Sequence, residues 1–153
     1  IENIKKHQET DYSSYQLPGT DLLIPQNKDD YDHTEEIQRI SSKIIDTLAA
    51  FDVVASITNV DRGPRITRYH IVPARGVKVQ SVISRFDDIA LNLGAEGIRM
   101  EAPIPGKAAV GIEVPNKEKE TVFIREMIDS EAFKNSKSKL GSALGKNIAA
   151  QVS

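Results

Sequence analysis

The chain is 153 residues long, 39% hydrophobic and 27% charged, with a net charge of -2. That is the length of one ordinary domain with a core of its own, and the slightly acidic balance argues against a uniformly basic nucleic-acid coat. The absence of cysteine excludes disulfides and thiolate metal sites and fits a reducing compartment, no apolar run approaches the roughly 18 residues of a membrane helix, and the first residues lack a signal-peptide pattern.

Charge is unevenly distributed. Nine acids face three lysines between Ile1 and Glu36. Arg62 to Phe86 holds six basic residues (Arg62, Arg65, Arg68, Arg75, Lys78, Arg85) and no acid. Beyond Glu131 come Lys134, Lys137, Lys139 and Lys146, again with no acid. A start at Ile1 rather than Met is expected of a piece taken from something longer.

In chain order, residues 1 to about 31 carry little apolar periodicity and several turn formers, and read as an extended arm or linker. Its apolar stretch, Tyr15 to Ile24, suits lying across a neighbouring surface. Asp32 with Glu35 has the form of a capping box. Ile37, Ile40, Ile44, Leu48 and Phe51 then recur at helical spacing as a buried stripe.

Val53 to Val60 and Arg65 to Val72 read as strands of a hairpin, with a turn at Asp61-Arg62-Gly63-Pro64 in which Gly63 can take positive φ. A second helix is expected from Lys78 to Leu93, capped by Gly94, its apolar face made by Val79, Val82, Ile83, Phe86, Ala90 and Leu93. Ile98, Met100 and Ala102 alternate as a third strand. Val110, Ile112 and Val114 alternate with Gly111 and Glu113 as a fourth. Thr121 to Ile124 reads as extended and Arg125 to Ile128 as a short helix. Leu140 to Val152 looks like the opening strands of another domain. The fold expected is α+β: a two-layer sandwich of a four-stranded, mainly antiparallel sheet with two helices on one face.

Few residues suggest catalysis. A phosphate-binding loop needs Gly, four residues, then Gly-Lys-Ser/Thr. Gly106-Lys107 has Glu101 at the first glycine position, and Gly141 to Lys146 is one residue too short. Both read as turn glycines with solvated lysines. Gly94-Ala-Glu-Gly97 has the form of an RNA-clamping loop but joins a helix to a strand and reads as a cap. His7, His33 and His70 are scattered without metal-ligand spacing, and His70 is expected at the surface or half-buried. Asp29-Asp30 and Asp87-Asp88 read as solvated. No catalytic, cofactor-binding or metal residue is assigned.

The basic block is the candidate DNA surface, through Arg62, Arg65, Arg68, Lys78 and Arg85. Strand alternation sends Arg65 and Arg68 to opposite faces. Asp88, three residues after Arg85, is placed to neutralise it. The block therefore reads as divided between DNA and other partners.

Gly63-Pro-Arg-Ile-Thr-Arg-Tyr69, Gly76-Val-Lys-Val79, Asp88-Ile-Ala-Leu91, Ile104-Pro-Gly-Lys107 and Val110-Gly-Ile-Glu-Val-Pro-Asn116, in this order, resemble the motor region of FtsK/SpoIIIE-type DNA translocases. Tyr15-Gln-Leu-Pro18 with Asp21-Leu-Leu23 resembles the lead-in to that region, and Leu144-Gly-Lys-Asn-Ile148 the first strands of its ATPase core. The resemblance implies a linker over 1–31, the motor's α subdomain over 32–130, and the start of a RecA-like β subdomain over 131–153. It implies a hexameric ring around double-stranded DNA, in the cytoplasmic portion of a bacterial inner-membrane protein that serves cell division or sporulation. Membrane segments, ATP and magnesium would belong to parts of the protein outside these residues, so no cofactor is expected here. A free-standing α+β nucleic-acid-binding module is the alternative. A third reading is an interaction domain whose arginines pair with a neighbouring subunit's acids.

Overall fold

A computed structural model describes residues 14, 16, 18–25, 33–138 and 141–148. Helix α1 (Thr34–Ala49) forms where the sequence stripe predicts it, and buries Ile40, Ile44 and Leu48. Glu35 and Glu36 in its first turn complement the helix dipole. His33 occupies the N-cap, where its side chain does not cap the helix, and the expected capping residue Asp32 lies outside the described residues. Phe51 follows the helix instead of extending its stripe. It is 40% exposed, with the Arg85 guanidinium 4.2 Å above its ring.

Strands β1 (Ala55–Arg62), β2 (Ile66–Pro73), β3 (Arg99–Glu101) and β4 (Val110–Pro115) form one sheet in the order β1-β2-β4-β3, all pairs antiparallel. β1 runs further than its β-branched residues suggest, so Arg62 pairs with Thr67 and the turn shrinks to Gly63–Arg65. Gly63 is not among the glycines with positive φ. Its requirement is steric: a Cβ there would stand 2.7 Å from the Ile148 carbonyl oxygen and 3.1 Å from that of Ile66.

The expected helix from Lys78 to Leu93 is two helices, α2 (Val79–Ile83) and α3 (Phe86–Leu93). The Ser84 hydroxyl donates to the Ser81 carbonyl at 3.1 Å, and Arg85 N–H bonds to Val82, three residues back. Side-chain competition and a tightened turn end α2 there. Ile89, absent from the expected apolar face, is fully buried, whereas Val79 is 47% exposed. Gly94 caps α3 in the left-handed conformation at φ 62°.

One sheet face carries Tyr69, Ile71, Val110, Ile112 and Val114, packed with Ile44, Leu48, Val82 and Ile89 from the helices. Burial, and then the neighbouring Glu36 carboxylate, push the Tyr69 phenol up to about 12. The opposite sheet face is also covered. Ile104, on the loop between β3 and β4, packs where a Cβ on Gly111 would stand, and Val110 to Val114 are all buried. The polar-out half of the β4 alternation therefore lies beneath a loop.

Helices α4 (Ile124–Asp129) and α5 (Glu131–Lys134) follow, with Ser130 capping α5 through the Phe133 N–H. A 3-10 turn at Thr20–Leu22 touches α4: the Thr20 hydroxyl donates to Asp129, and Arg125 donates to the Leu23 carbonyl. Leu22 and Ile24 remain exposed. Residues 141–148 hold only a bridge residue, Lys146, where strands are expected; the rest of that expectation lies outside the described residues.

Candidate nucleic-acid interface

The acid-free block is acid-free only along the sequence. Arg62, at the end of β1, stands 4.0 Å from Glu36 on α1 and 3.4 Å from Glu120. Arg68, on the loop-covered sheet face, pairs with Glu113 on β4 and lies 2.9 Å from Glu101 on β3. Cross-strand register places Glu113 directly opposite Arg68. Arg85 pairs with Asp88 at 3.7 Å, the contact its spacing predicts. Three of the five residues nominated for DNA contact are thus joined to acids within the chain.

Arg65 and Lys78 are exposed and make no ion pair among the described residues. Arg65 sits in the turn before β2, so the strand alternation used to oppose it to Arg68 does not apply. Lys78 lies beyond the other end of β2, whose eight residues span about 25 Å at ordinary strand rise. The five residues do not make one surface.

His70, expected at least half-exposed, is 2% exposed, its Nε2 2.7 Å from the Asp61 carboxylate. Its strand position opposite Gly111 puts it on the loop-covered face. Burial opposes ionisation of Asp61, but hydrogen bonds from His70 and Asn59, with the charges of His70 and Lys107, hold its carboxyl below 3.8. A depressed carboxyl pKa stabilises the fold above the unfolded value, and that contribution is lost as pH falls through the folded one. Asp61→Asn should therefore flatten the acid limb of a pH–stability profile below pH 3.8 relative to the unsubstituted chain, which urea titrations at stepped pH would show.

The turn between β1 and β2 is held rigidly. Asn116 N–H donates to the Arg65 carbonyl at 2.9 Å, and its side-chain amide to the Gly63 carbonyl at 2.9 Å. Its side-chain oxygen accepts from the Thr67 hydroxyl at 2.7 Å. Glu120 N–H donates to the Pro64 carbonyl at 2.8 Å. These bonds bring Lys117 to Glu120 alongside the turn, so Lys117 and Lys119 join Arg65 at one end of the sheet. Arg39 and Lys117 line a cleft of about 250 Å³ between α1 and the end of α3.

None of Arg39, Arg65, Lys117 and Lys119 makes an ion pair among the described residues. Sequence reasoning missed three of them. Lys117 and Lys119 belong to a Lys-Glu-Lys-Glu run that looks neutral, and Arg39 is one outward residue on a helix. The usable signal was the Pro115-Asn116 stop, which returns the chain to the hairpin.

A larger cleft of about 440 Å³ lies against the turn, lined by Gly63, Arg65, Ile66, Val122, Met127 and Leu144 among others. Its chemistry is mainly apolar. Lys146 at its edge, expected to be solvated, is only 16% exposed and pairs with Glu126. Lys107, the other lysine after a glycine, faces Asp61 at 4.0 Å. Among the described residues no three His, Asp or Glu side chains gather at metal-binding distance, and no helix is long and apolar enough to cross a membrane.

The model of the family described as the FtsK alpha domain matches residues 17–116. The chain belongs to the FtsK alpha domain family. The match takes in the whole sheet and ends on Asn116, the residue that clamps the turn, so Arg39 and Arg65 lie inside it and Lys117 and Lys119 just beyond. This FtsK alpha domain is similar to the DNA translocase FtsK of Clostridium acetobutylicum, at 48% identity over 137 residues, covering 88% of the chain and 18% of that protein. It is 46% identical to DNA translocase FtsK of Clostridium tetani over 140 residues, with the same coverage of each. Its identity to DNA translocase FtsK of Bacillus cereus is 47% over 135 residues, covering 88% of the chain and 17% of that protein. The chain therefore spans less than a fifth of the length of these relatives.

Proposed function

We propose that this FtsK alpha domain is a non-hydrolysing part of a double-stranded DNA translocase. Copies of it assemble into a hexameric ring and line part of the channel through which the duplex passes. Residues 32–130 form the α subdomain, 1–31 the linker to it, and 131–153 the approach to a RecA-like subdomain. ATP and magnesium are used outside these residues, and the domain works on the cytoplasmic side of the bacterial inner membrane in chromosome segregation at division or sporulation. The observation that carries this reading is the family match over 17–116, in a chain whose relatives are named DNA translocases. The 153 residues also contain no Gly-x-x-x-x-Gly-Lys-Ser/Thr sequence.

Sedimentation velocity of the purified chain with and without duplex, beside a phosphate-release assay, tests it. Self-association promoted by DNA is expected, with ATP turnover at background. A chain that stays monomeric and ignores duplex at every concentration would refute the ring and channel role. Magnesium-dependent turnover by the pure chain would refute the non-hydrolysing one.

A further inference from the structure

Among the described residues some cations are paired within the chain and others are not, and of the unpaired ones Arg75 and Lys78 lie beyond the far end of β2. Arg62, Arg68, Arg85, Arg125 and Lys146 pair with acids of the same chain. Arg39, Arg65, Lys117 and Lys119 have no such pairing among the described residues and converge on the β1–β2 turn end. We propose that this end of the domain is the surface that contacts the phosphates of duplex DNA, with Arg65 at its centre. This rests on the DNA-translocase reading above and names the surface that reading leaves unassigned.

Two observations carry it. First, the turn that holds Arg65 is fixed by backbone and side-chain bonds to Asn116 and Glu120, so a charge placed there is pre-positioned rather than carried on a loose loop. Second, the acids near this end are Glu35, Glu36, Glu118 and Glu120, and Arg62 neutralises two of them. Its side chain, 16% exposed, reaches Glu36 and Glu120 together, and His33 stands 3.5 Å from Glu120. Arg62 thus acts as a positioning residue that keeps the acids from cancelling the outer cations. An edge of unpaired cations suits a polyanion.

Salt-dependent binding of the full chain to a short duplex tests the assignment. Four neutralised phosphates give a log–log slope near about -3.6. Arg65→Ala with Lys117→Ala should bring the slope to about -1.8 and weaken binding on the order of 100-fold at low salt. Arg65→Lys should keep the slope, because a phosphate contact needs only the charge. Arg75→Ala with Lys78→Ala should also keep it. All four positions are exposed, and circular dichroism melts confirm that each variant is folded. If the Arg75/Lys78 variant loses the slope and the Arg65/Lys117 variant does not, the surface is wrong while the duplex reading stands. Loss of self-association with unchanged DNA binding in the Arg65/Lys117 variant also overturns it, in favour of a subunit contact. No duplex binding by the unsubstituted chain at low salt overturns the surface together with the channel role.

Discussion

Arg68→Ala should destabilise the domain by about 3–5 kcal/mol, the range for removing one partner of a buried ion pair. The Glu113 side chain is 9% exposed and that of Arg68 20%, with Nε and Nη2 both donating to one Glu113 oxygen. Without the guanidinium, the buried Glu113 is left without its cation, and Glu101 loses the same partner. The cost belongs to the stranded carboxylate rather than to the pair as such. Arg68→Met with Glu113→Leu should therefore recover most of the loss, because apolar replacement of a whole buried pair is often neutral or stabilising. Urea unfolding of Arg68→Met, Glu113→Leu and the double completes the cycle. A single-variant loss below about 1 kcal/mol, the scale of an exposed pair, would mean that Arg68 is not tied into the fold.

Asn116→Ala should cost about 2–4 kcal/mol, because two partners lose their bond at once. The Gly63 carbonyl and the Thr67 hydroxyl, 2.9 and 2.7 Å from the amide, lie in a buried corner and have no second side-chain partner among the described residues. Asn116→Asp keeps an acceptor for Thr67 but sets a carboxylate oxygen against the Gly63 carbonyl, so it should be no milder. Hydrogen exchange reads the local effect: Gly63 N–H, bonded to the Ile66 carbonyl at 2.9 Å, should lose protection before the β2–β4 ladder does. Equal loss across the whole sheet would show a global role rather than a clamp on the turn.

Much of the fold is legible because it is local. The Ile37-Ile40-Ile44-Leu48 stripe, the hairpin, the Gly94 cap and the alternation at Val110 to Val114 all depend on neighbours within a few residues. The family resemblance also rests on ordered local motifs, and the match over 17–116 bears it out. What escaped depends on distant contacts. The split between α2 and α3 turns on one serine hydroxyl and a tightened turn, which apolar periodicity does not register. His70 and Glu113 are buried on a face that alternation marks as polar, where Ile104 from a loop packs against Gly111. The steric need for Gly63 comes from Ile148, 85 residues later by the numbering.

The candidate site was legible in part. Arg65 is exposed and without an ion pair among the described residues, whereas Arg62 and Arg68 look unopposed in the sequence because their acids, Glu36, Glu101, Glu113 and Glu120, are supplied by other elements. Lys117 and Lys119 looked neutral for the opposite reason. Their sequence neighbours are acids, yet Glu120 pairs with Arg62 rather than with either lysine.

In the proposed arrangement Arg68 holds the sheet together while the turn end contacts DNA. The folded double variant Arg68→Met/Glu113→Leu separates those roles, since it removes the arginine without stranding its partner. Its affinity for duplex DNA should equal that of the unsubstituted chain across a salt titration, with the same slope. A slope lowered by about 0.9, the loss of one phosphate contact, would contradict the claim and return Arg68 to the DNA surface.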